Sequence, residues 1–578
     1  MVGGANIGGV DGLNATYSLY LNSQDETEFY RGKTQMFYDN TTAPWRLSVG
    51  DIEPVTSGHL PGISLGGANF ERAYSQIQPY RQLRNSGTQS LELTESAEVT
   101  VYVNDIRISR LRLSPGRYEI DDLPLTDGAN DIRLDIQYAS GRFETVTYSQ
   151  FYNGRLLKEG LADFTLAIGV ESTQLERDLE YDDSAIALGF YEYGISDALT
   201  VGVNGLTHQD GQIAGFSLVN GSDFGNITLR ASTSHSTLNS DDEIGYATSL
   251  DYSQQIFGSS PFGSPNFRIS ADWQQNFNAQ PWKENNEFSY TGIRADYQWY
   301  ITDQWDANIY AAYRDEQSKS AQYDATVKLN WRNQYWRVGL VGEYHYPTTD
   351  TNNDEYKGYI TVEFFYDLFS SKHRFNASYN SDLKESRVEV RKAMDNYVND
   401  YGYELSAETR DGDKTYLARG EYSANRWRGQ LEVENRQPQE SNSHSNVYGS
   451  LSSSFIVADG KLAIGRASVG SNAIIDVHPT LADSHVHVNS NFVQQPEAIS
   501  TSALSNMVSL PRTHEINTMT YSVPDAPLGY SLGAGINSIK PGSLTTHIIT
   551  VGSNATRTFI ASAYQRWHSS VTSGRDGD

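Results

Sequence analysis

The feature that most constrains the fold of this chain is an alternation of apolar and polar residues in segments of about ten residues. In "YDATVKLNW", residues 323–331, one face of an extended strand carries Tyr323, Ala325, Val327, Leu329 and Trp331. The opposite face is polar and carries Asp324, Thr326, Lys328 and Asn330. Aromatic residues at both ends of an apolar stripe are typical of a strand that crosses a bilayer, although a strand over a soluble core alternates in the same way.

The same pattern recurs along the chain, for example in "WDANIYAAYR" (305–314), "RVGLVGEYHY" (337–346) and "YITVEFFYD" (359–367). Polar connectors of unequal length separate such segments, among them "LNSDDE" (238–243) and "TTDTNNDE" (348–355). Short and long links in alternation fit a barrel that has turns at one rim and loops at the other. Alternation by itself leaves two interpretations open, a transmembrane β-barrel and a string of soluble β-sandwiches.

Composition excludes several classes of protein. The 578 residues include 44 basic and 71 acidic ones, and the net charge of −27 argues against nucleic acid as a partner. The sequence has no apolar run of about 18 residues, which excludes a helical membrane span but not a barrel. There is no cysteine, so neither disulfides nor thiolate metal sites contribute.

Residues 90–152 differ from the rest, because their strands are shorter and more densely spaced. "AEVTVYVND" (97–105) and "ISRLRLSPGRYEIDDL" (108–123) combine strict alternation with turn residues. We predict a compact β-sandwich here. A second change follows residue 468, where "NAIIDVHPTLADSHVHVNS" (472–490) begins a stretch whose strands lack aromatic ends. That stretch predicts a soluble β-domain behind the barrel.

Motifs of enzymes and metal sites are weak or missing. The sequence has no G-x-S-x-G, no H-E-x-x-H and no phosphate-cradling glycine loop, so we predict no enzymatic activity and no cofactor. His485 and His487 stand two residues apart on one strand face, but no third ligand is evident nearby. We therefore predict two exposed strand residues and no metal site.

The segment from 90 to 152 resembles the plug of outer-membrane fimbrial ushers, the translocation pores of the chaperone-usher pathway. Family plugs have an A-x-V-x-V strand that leads into N-G, then P-P-G-x-F-x-I-x-D-L, and later a D-G turn before an aromatic residue. The matching plug and gating candidates are Val99, Val101, Val103, Asn104, Pro115, Gly116, Tyr118, Ile120, Asp122, Leu123, Gly141 and Phe143. Three turn positions depart from the pattern, Asp105, Ser114 and Ser140, and all keep the capacity to turn.

The stretch "WRLSVGDIEPVTSGHLPGISLGG" (45–67) is similar to the hairpin that precedes the plug in these ushers, which reads G-D and then R-G-x-x-L. Gly50, Asp51 and Gly62 match this pattern, whereas Pro61 stands where the family has Arg. This chain therefore lacks the guanidinium that the family has at this position.

The resemblance implies an all-β fold: a large transmembrane β-barrel of about 24 strands, with an inserted β-sandwich plug and a C-terminal β-sandwich. The expected domains are 1–89 for the first barrel strands, 90–152 for the plug, 153–468 for the remaining strands, and 469–578 for a periplasmic C-terminal domain. The family's N-terminal capture domain and second C-terminal domain are not evident, so we expect a fragment.

The resemblance further implies a pore in the outer membrane of a Gram-negative bacterium, which secretes and assembles pilus subunits delivered by a periplasmic chaperone. Its partners would be chaperone-subunit complexes, pilus subunits and outer-membrane lipid. A homodimer is a further alternative that the sequence does not decide. Polar lumen residues such as Asp324, Lys328, Asn330 and Glu343 would hold the closed plug through exchangeable contacts. The alternatives are a passive, porin-like channel and a secreted adhesin built of β-sandwiches.

Overall fold

The computed structural model contains almost no helix in the residues that it describes. It describes residues 1–23, 28–81, 83, 89–93, 97–103, 106–114, 116–120, 128–138, 143–152, 156–175, 178–222, 225–238, 243–254, 256, 266–283, 289–317, 320–346, 354–368, 372–527, 529–530, 532 and 535–554. The helical elements within these ranges are α1 (Tyr74–Ile77) and two 3₁₀ turns, Gly9–Asp11 and Pro479–Leu481. None of the helices in this part of the chain is long and apolar enough to cross a membrane.

The chain begins with five antiparallel wall strands, each paired with the next. They are β1 (Val2–Ile7), β2 (Leu13–Asn22), β3 (Glu28–Asn40), β4 (Trp45–Ile52) and β5 (Leu65–Arg72). After α1 the chain leaves the wall and forms six strands that pair among themselves: β6 (Gln89–Leu93), β7 (Ala97–Val103), β8 (Ile106–Leu113), β9 (Gly116–Ile120), β10 (Gly128–Tyr138) and β11 (Phe143–Tyr152).

The wall then resumes with β12, which pairs directly with β5, so the inserted strands leave and re-enter the wall at one point. The following wall strands are β12 (Ala162–Leu175), β13 (Asp178–Ser196), β14 (Leu199–His208), β15 (Gly211–Ser222), β16 (Gly225–Ser236), β17 (Glu243–Gln254), β18 (Phe267–Gln275), β19 (Tyr290–Tyr300), β20 (Trp305–Glu316), β21 (Gln322–Arg332), β22 (Trp336–Tyr346), β23 (Glu355–Leu368), β24 (His373–Asn380), β25 (Glu385–Lys392), β26 (Asp400–Arg410), β27 (Asp413–Ser423), β28 (Arg428–Gln437) and β29 (His444–Ser452).

The wall is therefore a single sheet of 23 strands, close to the expected 24. Among the described residues, β1 pairs only with β2, and β29 only with β28, so these two strands are its edges. The outer surface is apolar, as the alternation predicts, and exposes the following side chains: Leu166, Ile168, Val203, Val327, Leu340, Leu405 and Leu431. Such a surface suits the hydrocarbon of a bilayer.

In the described part of the chain, nine short strands follow the wall. They are β30 (Ser454–Ala458), β31 (Lys461–Gly465), β32 (Asn472–Val477), β33 (Val486–Val488), β34 (Ala498–Ser500), β35 (Asn506–Ser509), β36 (Asn517–Ser522), β37 (Ile536–Ile539) and β38 (Thr546–Val551). Strands β32 to β38 form a three-stranded and a four-stranded sheet around one apolar core. We call residues 472–551 the C-terminal β-domain.

The C-terminal β-domain contacts the wall near both of its edge strands. Close to β1, Ser543 Oγ donates to Asp39 Oδ2 at 2.6 Å. Close to β29, Asn425 Oδ1 accepts from the Ile499 amide at 2.8 Å, and Arg426 donates to the Leu504 carbonyl at 2.7 Å. We call this end of the wall the domain-side rim and the other end the opposite rim.

Candidate functional site: an inserted domain, a hairpin and a loop

The inserted strands form a separate small core. Four of them make a sheet in the order β11, β10, β7, β8, and β6 pairs with β9. The core between them consists of Leu91, Leu93, Ala97, Val99, Val101, Ile132, Leu134, Ile136 and Tyr138, all buried. Strand β7 follows the A-x-V-x-V pattern because each second residue faces this core. We call residues 89–152 the inserted domain.

The predicted plug residues take different places in it. Val99 and Val101 lie in the core, and Tyr118 packs on that core while its hydroxyl donates to the Ser114 carbonyl at 2.8 Å. Val103, Gly116, Ile120 and Phe143 lie at the ends of strands β7, β9 and β11. Asn104, Pro115, Asp122, Leu123 and Gly141 lie outside the described residues. The residues located in the core therefore build the domain itself, and a partner cannot reach them.

A hairpin at the opposite rim, residues 53–64, connects β4 to β5. At its root, Asp51 is buried and accepts hydrogen bonds from the Thr34 amide at 2.7 Å, from Arg31 Nη1 at 2.9 Å and from the Tyr181 hydroxyl. Gly50 has a φ of 120°, and a Cβ there would lie 2.4 Å from the Thr34 carbonyl. The G-D pair thus supplies a conformation and a carboxylate that join three wall strands at the base of the hairpin.

The hairpin folds inward and bonds to the inner face of the wall. The two ring nitrogens of His59 lie 2.9 Å from Ser232 Oγ on β16 and 2.9 Å from Ser249 Oγ on β17, so this side chain joins the hairpin to two wall strands. Ser57 donates to Glu192 on β13. At the root, the hydrogen bond from Lys33 lowers the pKa of Glu53.

Beneath the hairpin the inner wall is apolar where a polar lumen was expected. Leu60 and Ile63 of the hairpin share one buried cluster with the following wall residues: Ile186, Leu188, Leu206, Ile213 and Ala247. Sequence reasoning missed this surface. The signal is "SAIALGF", residues 184–190, in which the large apolar residues occupy the inward positions and small residues face outward.

A loop between β18 and β19 holds the hairpin from the other side. The Phe277 ring meets His59 edge-on, with ring centroids 5.7 Å apart. Trp282 is buried, and its Nε1 donates to Glu171 Oε2 at 2.9 Å, while Lys283 Nζ lies 2.5 Å from Glu171 Oε1. The hairpin is therefore enclosed between wall and loop, which makes these two elements a single latch. We call residues 53–64 and 276–283 the latch.

The polar lumen residues bond to neighbours in the wall. Asp324 lies 2.7 Å from His345 Nδ1, Asn330 donates to Asp306 at 2.8 Å, and Glu343 accepts from the Tyr359 hydroxyl at 2.7 Å. Such cross-strand pairs stabilise the sheet. These three residues therefore have a role in the wall, and whether they also hold the closed plug stays a prediction.

The histidines that were weighed as metal ligands lie in the C-terminal β-domain. His485 Nδ1 is 2.8 Å from Asp525 Oδ2, and burial lowers the pKa of His487. In the part of the chain that the structure describes, no group of three or more potential ligands could hold a metal ion.

Comparisons with known proteins agree with this arrangement. A family model described as "Outer membrane usher protein" matches residues 67–499. The outer membrane usher protein YehB of Escherichia coli (strain K12) is 24% identical over 311 residues, which are 52% of this chain and 36% of YehB. The chain thus aligns with well under two thirds of that relative.

Two solved structures match this chain. A cryo-EM structure of the E. coli P pilus tip assembly intermediate PapC-PapD-PapK-PapG has a TM-score of 0.61 at 12% identity, and the match covers 93% of this chain and 67% of that one. The P pilus usher PapC translocation pore has a TM-score of 0.42 at 13% identity, covering 75% of this chain and 91% of that one. The first of these shows a shared architecture.

Proposed function

Since this chain belongs to the outer membrane usher family, we propose that it is a gated pore through which pilus subunits are secreted and assembled. A periplasmic chaperone would deliver these subunits, as chaperone-subunit complexes. The inserted domain would be the plug that closes the pore at rest. Family membership does not favour a passive, porin-like channel.

One observation carries the proposal: the inserted domain is connected to β5 at one end and to β12 at the other, and these two wall strands pair directly with each other. A folded domain with both tethers at one point can leave the lumen without breaking the wall. A barrel of this many strands is far wider than its side chains can fill, so an unplugged lumen would leak solutes. A tethered plug closes such a pore and stays close to it after release.

The latch is the second part of the proposed gate. Its hydrogen bonds from His59 and Trp282 end on wall side chains, so they form and break without any change in the wall. An incoming complex that binds the open form better than the closed one shifts the population toward the open form. The gate then needs no covalent chemistry and no nucleotide. Strand exchange between successive subunits would supply the driving force.

The domain boundaries that we propose lie close to those expected from the sequence. We propose residues 89–152 for the plug, because β6 begins at Gln89, and residues 472–551 for a periplasmic domain at the domain-side rim. The wall sheet ends at Ser452, and the hairpin β30–β31 lies between the wall and that domain.

The test is single-channel conductance in planar bilayers. The intact chain is compared with a variant in which residues 89–152 are replaced by a short Gly-Ser linker. As a matched control, the connector 438–443 between β28 and β29 is replaced in the same way. We expect the intact chain and the control to be mostly closed and the plug variant to conduct strongly and steadily. Equal conductance of all three would refute the plug and favour a passive channel.

A further inference from the structure

The hairpin β30–β31, which follows the wall directly, has two different faces. One face packs on the C-terminal β-domain, where Ile456 and Ala458 contact a buried cluster of Ala463, Ile474 and Met507. The other face is exposed: Phe455 keeps 63% of its surface in contact with solvent, Val457 67% and Leu462 48%. Cross-strand pairs join Phe455 to Ile464 and Val457 to Leu462, so this face carries four apolar side chains and no charge. We call these four residues the apolar foot.

The apolar foot continues the lipid-facing stripe of β29. On that strand Val447 pairs with Val433, and Leu451 pairs with Gly429, all on the outer face of the wall. Tyr448, which lies between them on the strand, points to the opposite face. It pairs with Glu432, whose carboxylate accepts a hydrogen bond from Arg419. Odd-numbered residues therefore face outward on β29. Phe455 and Val457 follow this stripe directly in the chain, after Ser453, and are exposed to a similar extent.

The apolar foot begins at the same height along the wall as two exposed aromatic residues of the domain-side rim. Ser453, between β29 and β30, donates from Oγ to the Arg426 carbonyl at 2.8 Å. The next residue in that turn is Trp427, which is exposed and lies against Tyr422 with ring centroids 5.6 Å apart. Exposed Trp and Tyr at a barrel rim mark the boundary between hydrocarbon and headgroups. The foot therefore starts where the wall leaves the bilayer.

We propose that the apolar foot lies in the lipid interface on the domain-side face of the membrane and holds the C-terminal β-domain against it. An uncharged apolar surface that continues a bilayer-facing stripe fits lipid, because it needs no hydrogen-bonding partner. This anchor goes beyond the proposed gate and depends only on the membrane position of the wall. It would limit where the C-terminal β-domain can move while the pore opens.

The test uses the absence of cysteine from the chain. The full-length Val457→Cys variant is labelled with an environment-sensitive fluorophore and reconstituted in phosphatidylethanolamine and phosphatidylglycerol vesicles that contain nitroxide-labelled lipid. The matched control is Ile536→Cys, an exposed apolar position on β37 of the same domain. We expect a blue-shifted emission that the nitroxide lipid quenches at position 457, and a water-like, unquenched emission at position 536.

Three results would overturn the anchor: no quenching at position 457, equal quenching at both positions, or a blue shift at 457 that disappears when protein is diluted in lipid. The last result would mean that the apolar foot contacts a second copy of the chain and not lipid, because only a contact between copies is lost on dilution. Conductance of a Phe455→Ser, Val457→Ser variant separates this proposal from the gate. If the anchor proposal is right, this variant loses the lipid contact. The difference in conductance between the pore with its plug and the pore without it stays unchanged.

Discussion

Gly50 lies at the root of the latch hairpin in a backbone conformation that other residues rarely adopt. In Gly50→Ala the added Cβ would meet the Thr34 carbonyl, and the positive φ adds strain, so we expect a loss of about 1–3 kcal/mol in the free energy of unfolding. Gly62→Ala is the matched control, since a Cβ there has nothing within 4 Å. Thermal unfolding followed by gel mobility checks the pair. Equal midpoints would contradict the assigned role of Gly50.

His59 joins the hairpin to two wall strands. In His59→Ala both contacts with Ser232 and Ser249 are lost, and we expect the closed state to lose about 1–3 kcal/mol relative to the open one. The prediction is more frequent opening in single-channel recordings with the plug intact. The control is His444→Ala, an exposed position on β29, for which opening should not change. If His59→Ala opens no more often than this control, the hairpin is not part of the gate.

At the scale of elements, the loop 276–283 acts on the hairpin through one buried indole. Trp282→Ala removes both the packing and the hydrogen bond to Glu171, and we expect the loop to lose about 3–5 kcal/mol of contact free energy. Opening should become more frequent, and trypsin should cleave more readily after Lys283. Glu171→Gln keeps an acceptor for the indole and should have a smaller effect. Equal effects of the two variants would contradict a role for packing.

Elements with a strict period were predicted well from the sequence. The all-β fold, the apolar outer stripe of "YDATVKLNW" and the resemblance to the usher family are all confirmed, because a two-residue period and a fixed order of turns are local signals. The latch was harder to predict. Glu171 and Trp282 are 111 residues apart in the sequence, and only the tertiary fold brings them together. Whether the predicted plug residues act in gating stays a prediction.

For the whole molecule, the C-terminal β-domain contacts the wall on both sides of the gap between β1 and β29. Asp39 is central to one contact, since it accepts from Ser543 and pairs with the partly buried Arg46 at 2.6 Å. Asp39→Ala would leave that guanidinium without its partner, at a cost of about 3–5 kcal/mol. We expect faster proteolytic release of the C-terminal β-domain. Lys384→Ala, which breaks an exposed pair with Asp411, is the control and should change release little.

The odd number of wall strands has a consequence for sidedness. Strand β1 runs toward the domain-side rim, because its last residues lie against the C-terminal β-domain. There the Asn6 side chain donates to the Ser543 carbonyl. Strand β29 runs the same way, since the chain enters that domain after it. An epitope placed in the connector 438–443, at the opposite rim, and one placed after Ser452 would therefore face opposite compartments. In intact cells, an antibody should detect the first at the cell surface, and the second only after the outer membrane is permeabilised.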